Sequence, residues 1–218
     1  MGYGISLEIW GEYALFTRPE MKAERVSYDV ITPSAARGIL EAIFWHPGMR
    51  WEIDRIHVMN PIKFTNIRRN EVTSVVSASG VRAMMNGGAA PYISTADDIM
   101  QRASLLLKEV RYVIDAHFEL TMPPDKEMSE EKFYNMAKRR MEKGQCYHQP
   151  CFGCREFPAH FKLNEVGVPE TAYTDETRDL GIMLYDMDYS NKENITPIFF
   201  RAIMKDGVIS PRNCEVYR

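Results

Sequence analysis

"RYVIDAHFEL", Arg111 to Leu120, is the stretch on which the fold turns. Tyr112, Ile114, Ala116, Phe118 and Leu120 fall on one face at period two. Arg111, Asp115, His117 and Glu119 fall on the other, with Val113 among them. The pattern predicts a strand, extending over 106–121, one face of which carries a base, two acids and an imidazole. Such a face is either a solvated surface or a working one.

Working outward, residues 3–10 alternate Tyr3, Ile5, Leu7 and Ile9 and predict a first strand ending at Gly11. A charge-rich loop follows from Glu12 to Ile31. "TPSAARGILEAIFW" then opens a helix with Thr32 as N-cap and Pro33 at the first helical position. Ala36, Ile39, Leu40 and Ile43 have helical spacing, and His46-Pro47-Gly48 stops it. "WEIDRIHVMNPI" predicts a second strand with Trp51 and Ile53 inward, then Ile56 and Val58 after a slip. "KFTNIRRNEVTSVV" predicts a more exposed strand, and residues 79–100, rich in Gly, Ala and Ser around "NGGAAP", a mobile loop or insertion.

Beyond the central strand, Pro123-Pro124 breaks the chain. "SEEKFYNMAKRRMEKG" forms a second helix with acids at its start, bases at its end and Gly144 after it. "FPAHFKL" supplies another strand. The order β-α-β-(insert)-β-α-β is that of an α+β, ferredoxin-like (RRM-like) βαββαβ domain with an insertion, over residues 1–163. "LGIMLYDMDY" and "TPIFFRAIMKDGVIS" predict a small antiparallel β-sheet domain over 164–218. RNA-recognition modules are built on ferredoxin-like sheets, although a fold alone fixes no function.

With 218 residues, 45% hydrophobic and 26% charged, the chain can bury a real core. No run of eighteen apolar residues exists, so no membrane span is expected, and the start lacks the basic and apolar regions of a signal peptide. "MGYGIS" fits a myristoylation spacing, but Tyr3, Ile5 and Leu7 alternate as a strand does. The expected location is the cytoplasm, and four cysteines suggest no disulfide framework. The net charge of −3 hides an uneven distribution. Lys63, Arg68, Arg69 and Arg82 make one stretch basic, and 164–194 is strongly acidic.

Several stretches together carry a family resemblance: "GEYALFTRPE", "ERVSYDVITPSAARGILEAIFWHP", "IRRNEV", "VRYVIDAHFEL" and "CFGCREFPAHF". They resemble the CRISPR-associated endoribonuclease of the subtype I-C interference (Cascade) complex, a member of the RAMP superfamily. The resemblance implies metal-independent cleavage of precursor CRISPR RNA within the repeat hairpin, with no cofactor. The product's 5′ handle then stays bound within a surveillance complex, beside its backbone and large subunits. It also implies a catalytic tyrosine near the end of the first helix and a lysine and histidine in the strand. His117 matches the histidine. Phe44 stands at the tyrosine position, and the lysine position falls near Asp115-Ala116. A benzene ring moves no proton, so two alternatives remain. Either His46 takes over proton transfer beside His117, or the chain is an RNA-binding structural subunit that does not cut.

The chemistry asks for a base, an acid and positive charge at a phosphorane formed by the RNA's own 2′-hydroxyl. Histidine titrates near neutrality and serves as either. Arg111 shares His117's parity but lies about 20 Å away at ~3.3 Å per residue. Candidate RNA contacts are Arg18, Lys22 and Arg25 in the long loop, and Arg68 and Arg69, which as strand neighbours point to opposite faces. Gly153 and Arg155 belong to a glycine-containing loop where the backbone approaches something closely, phosphate being one candidate. "CYHQPCFGCREFPAH" contains a Cys-x-x-Cys, but its second pair is not cleanly spaced for zinc, so no metal ligand is assigned. "KRRMEK" complements a helix dipole. Tyr13, Phe16, Tyr28 and Tyr92 are the aromatics considered for stacking on bases.

Overall fold

The structure, a computed structural model, describes residues 3–21, 23–122, 129–167, 170–212 and 214–218. The break at Pro123-Pro124 and Lys22 lie outside the described residues. The fold is mixed α/β, with one large antiparallel sheet and few helices. Its centre is β1 (Gly4–Ala14), β3 (Met49–Val58), β5 (Ile99–Leu120) and β6 (His160–Leu163), after the short β2 (Arg25–Val26) and β4 (Phe64–Val72) are set aside. Across the sheet the order is β3-β5-β1-β6, every neighbouring pair antiparallel.

Helices α1 (Pro33–Ile43) and α3 (Glu130–Glu142) cover one face of these strands. Thr32 caps α1, its hydroxyl accepting from the Ala35 N–H at 3.2 Å, and Ala36, Ile39, Leu40 and Ile43 are buried. Ser129 does the same for α3, which buries Phe133, Ala137 and Met141. Ile5, Leu7, Ile9, Trp51, Ile114 and Phe118 meet them in the core, with Phe133 against both Phe44 and Phe118. Tyr3, expected to point inward with Ile5, is exposed near the chain's start and stacks on Tyr134 at 5.0 Å.

Two differences from the sequence reading have clear causes. The central strand begins at Ile99, not 106, because its first half serves another partner: 99–107 pairs with β4, and 107–117 with β1. Glu109, with φ 55°, marks the bend between the two. The segment expected as a loop over 79–100 begins with a helix, α2 (Ala78–Met85), capped by Ser77. It buries none of its side chains, and the Gly-, Ala- and Ser-rich composition around it reads as a loop.

At the C-terminal end β7 (Thr177–Asp188), β8 (Thr196–Lys205), β9 (Val208–Ile209) and β10 (Val216–Tyr217) form the expected antiparallel hairpins. They do not stand apart from the main sheet. β9 pairs with β3 through Ile56↔Ile209 and His57↔Val208, which extends the sheet to the order β10-β8-β9-β3-β5-β1-β6.

Candidate active site

The face of the sheet away from the helices answers the question raised by "RYVIDAHFEL". Across from β5 stand Ser6 and Glu8 of β1, and Glu52, Arg55 and His57 of β3, by the register Ser6↔Asp115, Glu8↔Val113, Glu52↔His117, Arg55↔Asp115 and His57↔Val113. Nearly every ionised group there is matched. Arg111 and Lys162 both pair with the buried Glu8, at 2.6 and 2.9 Å. Burial works against the Glu8 carboxylate, but these two hydrogen-bonded cations outweigh it and hold its pKa below the usual range.

Two histidine–carboxylate pairs lie along β5. The buried His57 Nε2 sits 2.8 Å from Asp115 Oδ2, and the Ser6 hydroxyl donates to Oδ1 at 2.7 Å. Burial again opposes ionisation of Asp115, yet the His57 and Ser6 hydrogen bonds bring its pKa below the ordinary value. The second pair is His117 with Asp54, Nδ1 to Oδ2 at 2.8 Å. Asp54 is the extra residue of a β-bulge, where the register jumps from Ile53↔Ala116 to Arg55↔Asp115. The slip seen in the sequence is this bulge. It turns Asp54 onto the polar face, where its Oδ1 also accepts from Arg212 at 2.8 Å.

An ionised carboxylate only accepts, so His117 Nδ1 donates to Asp54 and Nε2 is left with the lone pair in the neutral ring. Nε2 lies 3.8 Å from Glu119 Oε1, beyond hydrogen-bond distance. His117 is thus an oriented imidazole whose Nε2 makes no hydrogen bond among the described residues, and Arg212 flanks it through Asp54. The sequence singled out His117 but missed Asp54, Arg212 and the role of Asp115. Asp54 was legible only as a broken alternation, and Arg212 lies nearly a hundred residues away.

The other expected residues separate. His46 stacks on Phe133 of α3 at 5.0 Å, with Nδ1 2.7 Å from the Pro47 carbonyl oxygen. Phe133 packs on Phe118, which has the opposite strand parity to His117. The structure therefore places His46 on the helix side of the sheet and does not join it to His117. Phe44 is on that side too, buried between Phe133 and the Arg140 guanidinium, its ring in the core.

Of the basic residues, Arg68 is exposed and, among the described residues, makes no ion pair. Arg69 points the other way, 16% exposed, and pairs with Glu156 at 2.6 Å. Arg18 is tied to Asp29 at 3.0 Å over the Tyr28 ring, and Arg25 faces Glu71 at 3.5 Å. Arg155 is exposed. Gly153 has φ 82°, and a Cβ there would fall 2.0 Å from the Leu15 carbonyl oxygen, so a close approach to the protein's own backbone already requires glycine here. Of the aromatics, Phe16 and Tyr28 are buried, Tyr13 packs on Phe157, and Tyr92 is exposed. Cys151 and Cys154 are half-buried free thiols, and no three His, Cys, Asp or Glu side chains converge as a ligand set among the described residues.

Residues 4–212 match the family model described as CRISPR-associated protein (Cas_Cas5), Cas5d. The chain is 50% identical over 215 residues to the CRISPR pre-crRNA endoribonuclease Cas5d of Mannheimia succiniciproducens, covering 96% of this chain and 95% of that one. It is 37% identical to the protein of the same name from Thermus thermophilus, covering 98% and 95%. A crystal structure of a CRISPR-associated protein superposes with a TM-score of 0.71 at 23% identity, over 99% and 96% of the two chains. A chain of a CRISPR RNA-guided surveillance complex superposes at 0.51 and 10% identity, over 98% and 89%, a likeness of fold.

Proposed function

The chain belongs to the Cas5d family of CRISPR-associated proteins, and on that premise we propose that it is the endoribonuclease that cuts precursor CRISPR RNA within the repeat hairpin and then remains on the 5′ handle as a subunit of a subtype I-C surveillance complex. The observation that carries the catalytic part of this reading is the Asp54–His117 pair on the polar sheet face. With Nδ1 committed to Asp54, the neutral imidazole takes the proton of the attacking 2′-hydroxyl at Nε2. The oxygen attacks the adjacent phosphorus, a 2′,3′-cyclic phosphate forms, and the bond to the 5′-oxygen breaks. The imidazolium returns the proton to that leaving oxygen. Arg212, held beside Asp54, supplies positive charge to the phosphorane. The nucleophile comes from the RNA, so this scheme routes no step through a metal ion.

The geometry supports His117 in this role and Asp54 as its positioning residue, and it speaks against His46, which faces the other side of the sheet. Arg68 and Arg155, exposed and basic, are the phosphate contacts this reading favours. Arg18 and Arg25 keep their acidic partners and would reach RNA only by exchanging them. The antiparallel order β6-β1-β5-β3, with both helices on one face, supports a ferredoxin-like core over 1–163, and the hairpins of 164–218 support a small β-sheet domain fused to its edge. No helix among the described residues is long and apolar enough to cross a membrane, in keeping with a cytoplasmic place of action.

The test is incubation of the protein with its cognate repeat RNA in EDTA. One cut is expected, ending in a cyclic phosphate, and none in RNA carrying 2′-deoxyribose at the attacked nucleotide. His117→Ala is expected to slow the cut by roughly 10²–10⁴-fold with RNA affinity retained. Cleavage of the deoxy substrate, or an undiminished rate in His117→Ala, overturns the mechanism.

A further inference from the structure

On the helix side of the sheet, opposite His117, the C-terminal end of α1 opens into a cleft of about 550 Å³ that the scheme above leaves unused. Glu41 and Ala42 of α1 and Trp45, just past its end, form one wall, and Arg140 of α3 with Tyr147 and His148 forms the other. The size suits one small ligand group.

The walls are firmly held. The Tyr147 and His148 backbone N–H groups both donate to the Ala42 carbonyl, at 2.9 and 3.0 Å, satisfying an orphan acceptor of the last helical turn. Arg140 Nη1 donates to the Ile43 carbonyl at 3.0 Å, and its guanidinium rests on the Phe44 ring. That arrangement fixes the cation while using one of its five N–H donors. By contrast the aromatic side chains are left to solvent. Trp45 is 53% exposed and Tyr147 75%, with the His148 ring edge-on to Tyr147 at 4.3 Å. Large rings exposed on a rigid frame beside a fixed cation are what a single-stranded nucleic acid uses: a π-face for the base and a donor for the phosphate. Arg139 and Lys143, exposed on the same end of α3, extend the positive field, while the Glu41 charge is matched by Arg37 at 3.4 Å.

We propose that this cleft holds an unpaired nucleotide of the RNA flanking the repeat hairpin, its base stacked on Trp45 and Tyr147 and its phosphate on Arg140. The inference rests on the RNA-processing reading above. It assigns to the helix side of the sheet a second RNA contact, so that the substrate wraps an edge of the protein instead of lying on one face.

The experiment compares two 2′-fluoro RNAs, which lack the attacking hydroxyl and stay intact: the repeat hairpin with its single-stranded flanks, and the hairpin alone. Binding is read by fluorescence anisotropy for the full chain and for Trp45→Ala, Tyr147→Ala and Trp45→Phe. Both alanine variants are expected to lose roughly five- to a hundredfold in affinity for the flanked RNA. Affinity for the bare hairpin should stay within about twofold, and Trp45→Phe, which keeps a π-face, should retain most of the binding. Unchanged affinity for the flanked RNA, or equal losses on both RNAs, overturns the assignment. So does unchanged affinity combined with failure to assemble with other subunits, which would make the cleft a protein-docking site. If the parental chain binds neither RNA, the RNA-processing reading itself falls. If it binds both while the variants are indistinguishable from it, only the cleft falls.

Discussion

Asp54→Asn isolates the part of the site that the bulge creates. The substitution keeps size and shape but removes the charge that Nδ1 of His117 and Nη1 of Arg212 share, each at 2.8 Å. An amide also offers an N–H, which lets the imidazole turn over to the tautomer whose lone pair sits on Nδ1, away from the substrate. A hydrogen bond to a charged group contributes about 1.5–3 kcal/mol. If that interaction is expressed in the transition state, its loss slows cleavage by roughly ten- to 150-fold, at 1.36 kcal/mol per decade. The assay is single-turnover cleavage of saturating repeat RNA, with affinity measured separately. Because the tautomer effect needs the imidazole, Asp54→Asn should cost far less in the His117→Ala background, where only the hold on Arg212 is left to lose, than in the parent. A merely structural Asp54 would give additive losses and a lower melting temperature. Additivity, or a parental rate in Asp54→Asn, would refute the reasoning.

Charge reversal separates the neighbours Arg68 and Arg69. Arg68→Glu should weaken repeat-RNA binding at least about tenfold and flatten its salt dependence with the fold intact, since log Kd tracks the phosphates contacted. Arg69→Glu strands Glu156 against a like charge and should lower the melting temperature as well, as thermal unfolding of the two variants will reveal. Asp115, whose carboxyl is held below its ordinary pKa, stabilises the fold at neutral pH, and that contribution disappears as pH falls below about 4 through the folded-state value. Asp115→Asn should therefore be less stable than the parent at pH 7 but lose less on acidification, which denaturant titrations at pH 7 and pH 3 measure. Gly153→Ala must accommodate both positive φ and a backbone clash at Leu15. A cost above about 2 kcal/mol is expected, or roughly 5 °C or more by calorimetry, and a Tm within a degree of the parent would show that this loop yields.

The sequence by itself carried whatever depends on neighbours in the chain. Period-two alternation located the central strands, the Thr32-Pro33 cap and the spacing of Ala36, Ile39, Leu40 and Ile43 located α1, and the strand parity of Arg68 and Arg69 sent one outward and one inward. It also put His117 on a polar face, because parity is a local property. Only the tertiary structure decided what that face meets. Asp54 reaches His117 because a one-residue bulge in β3 changes which side it points to, and Arg212 arrives from the far end of the chain. His46 and His117 looked like partners when placed at element ends, yet a sheet stands between them. The separation follows from which face α1 and α3 cover, and that choice is made by burying Phe44, Phe118 and Phe133 together across widely separated segments. Periodicity fixes the faces of each element; only packing fixes which faces come together.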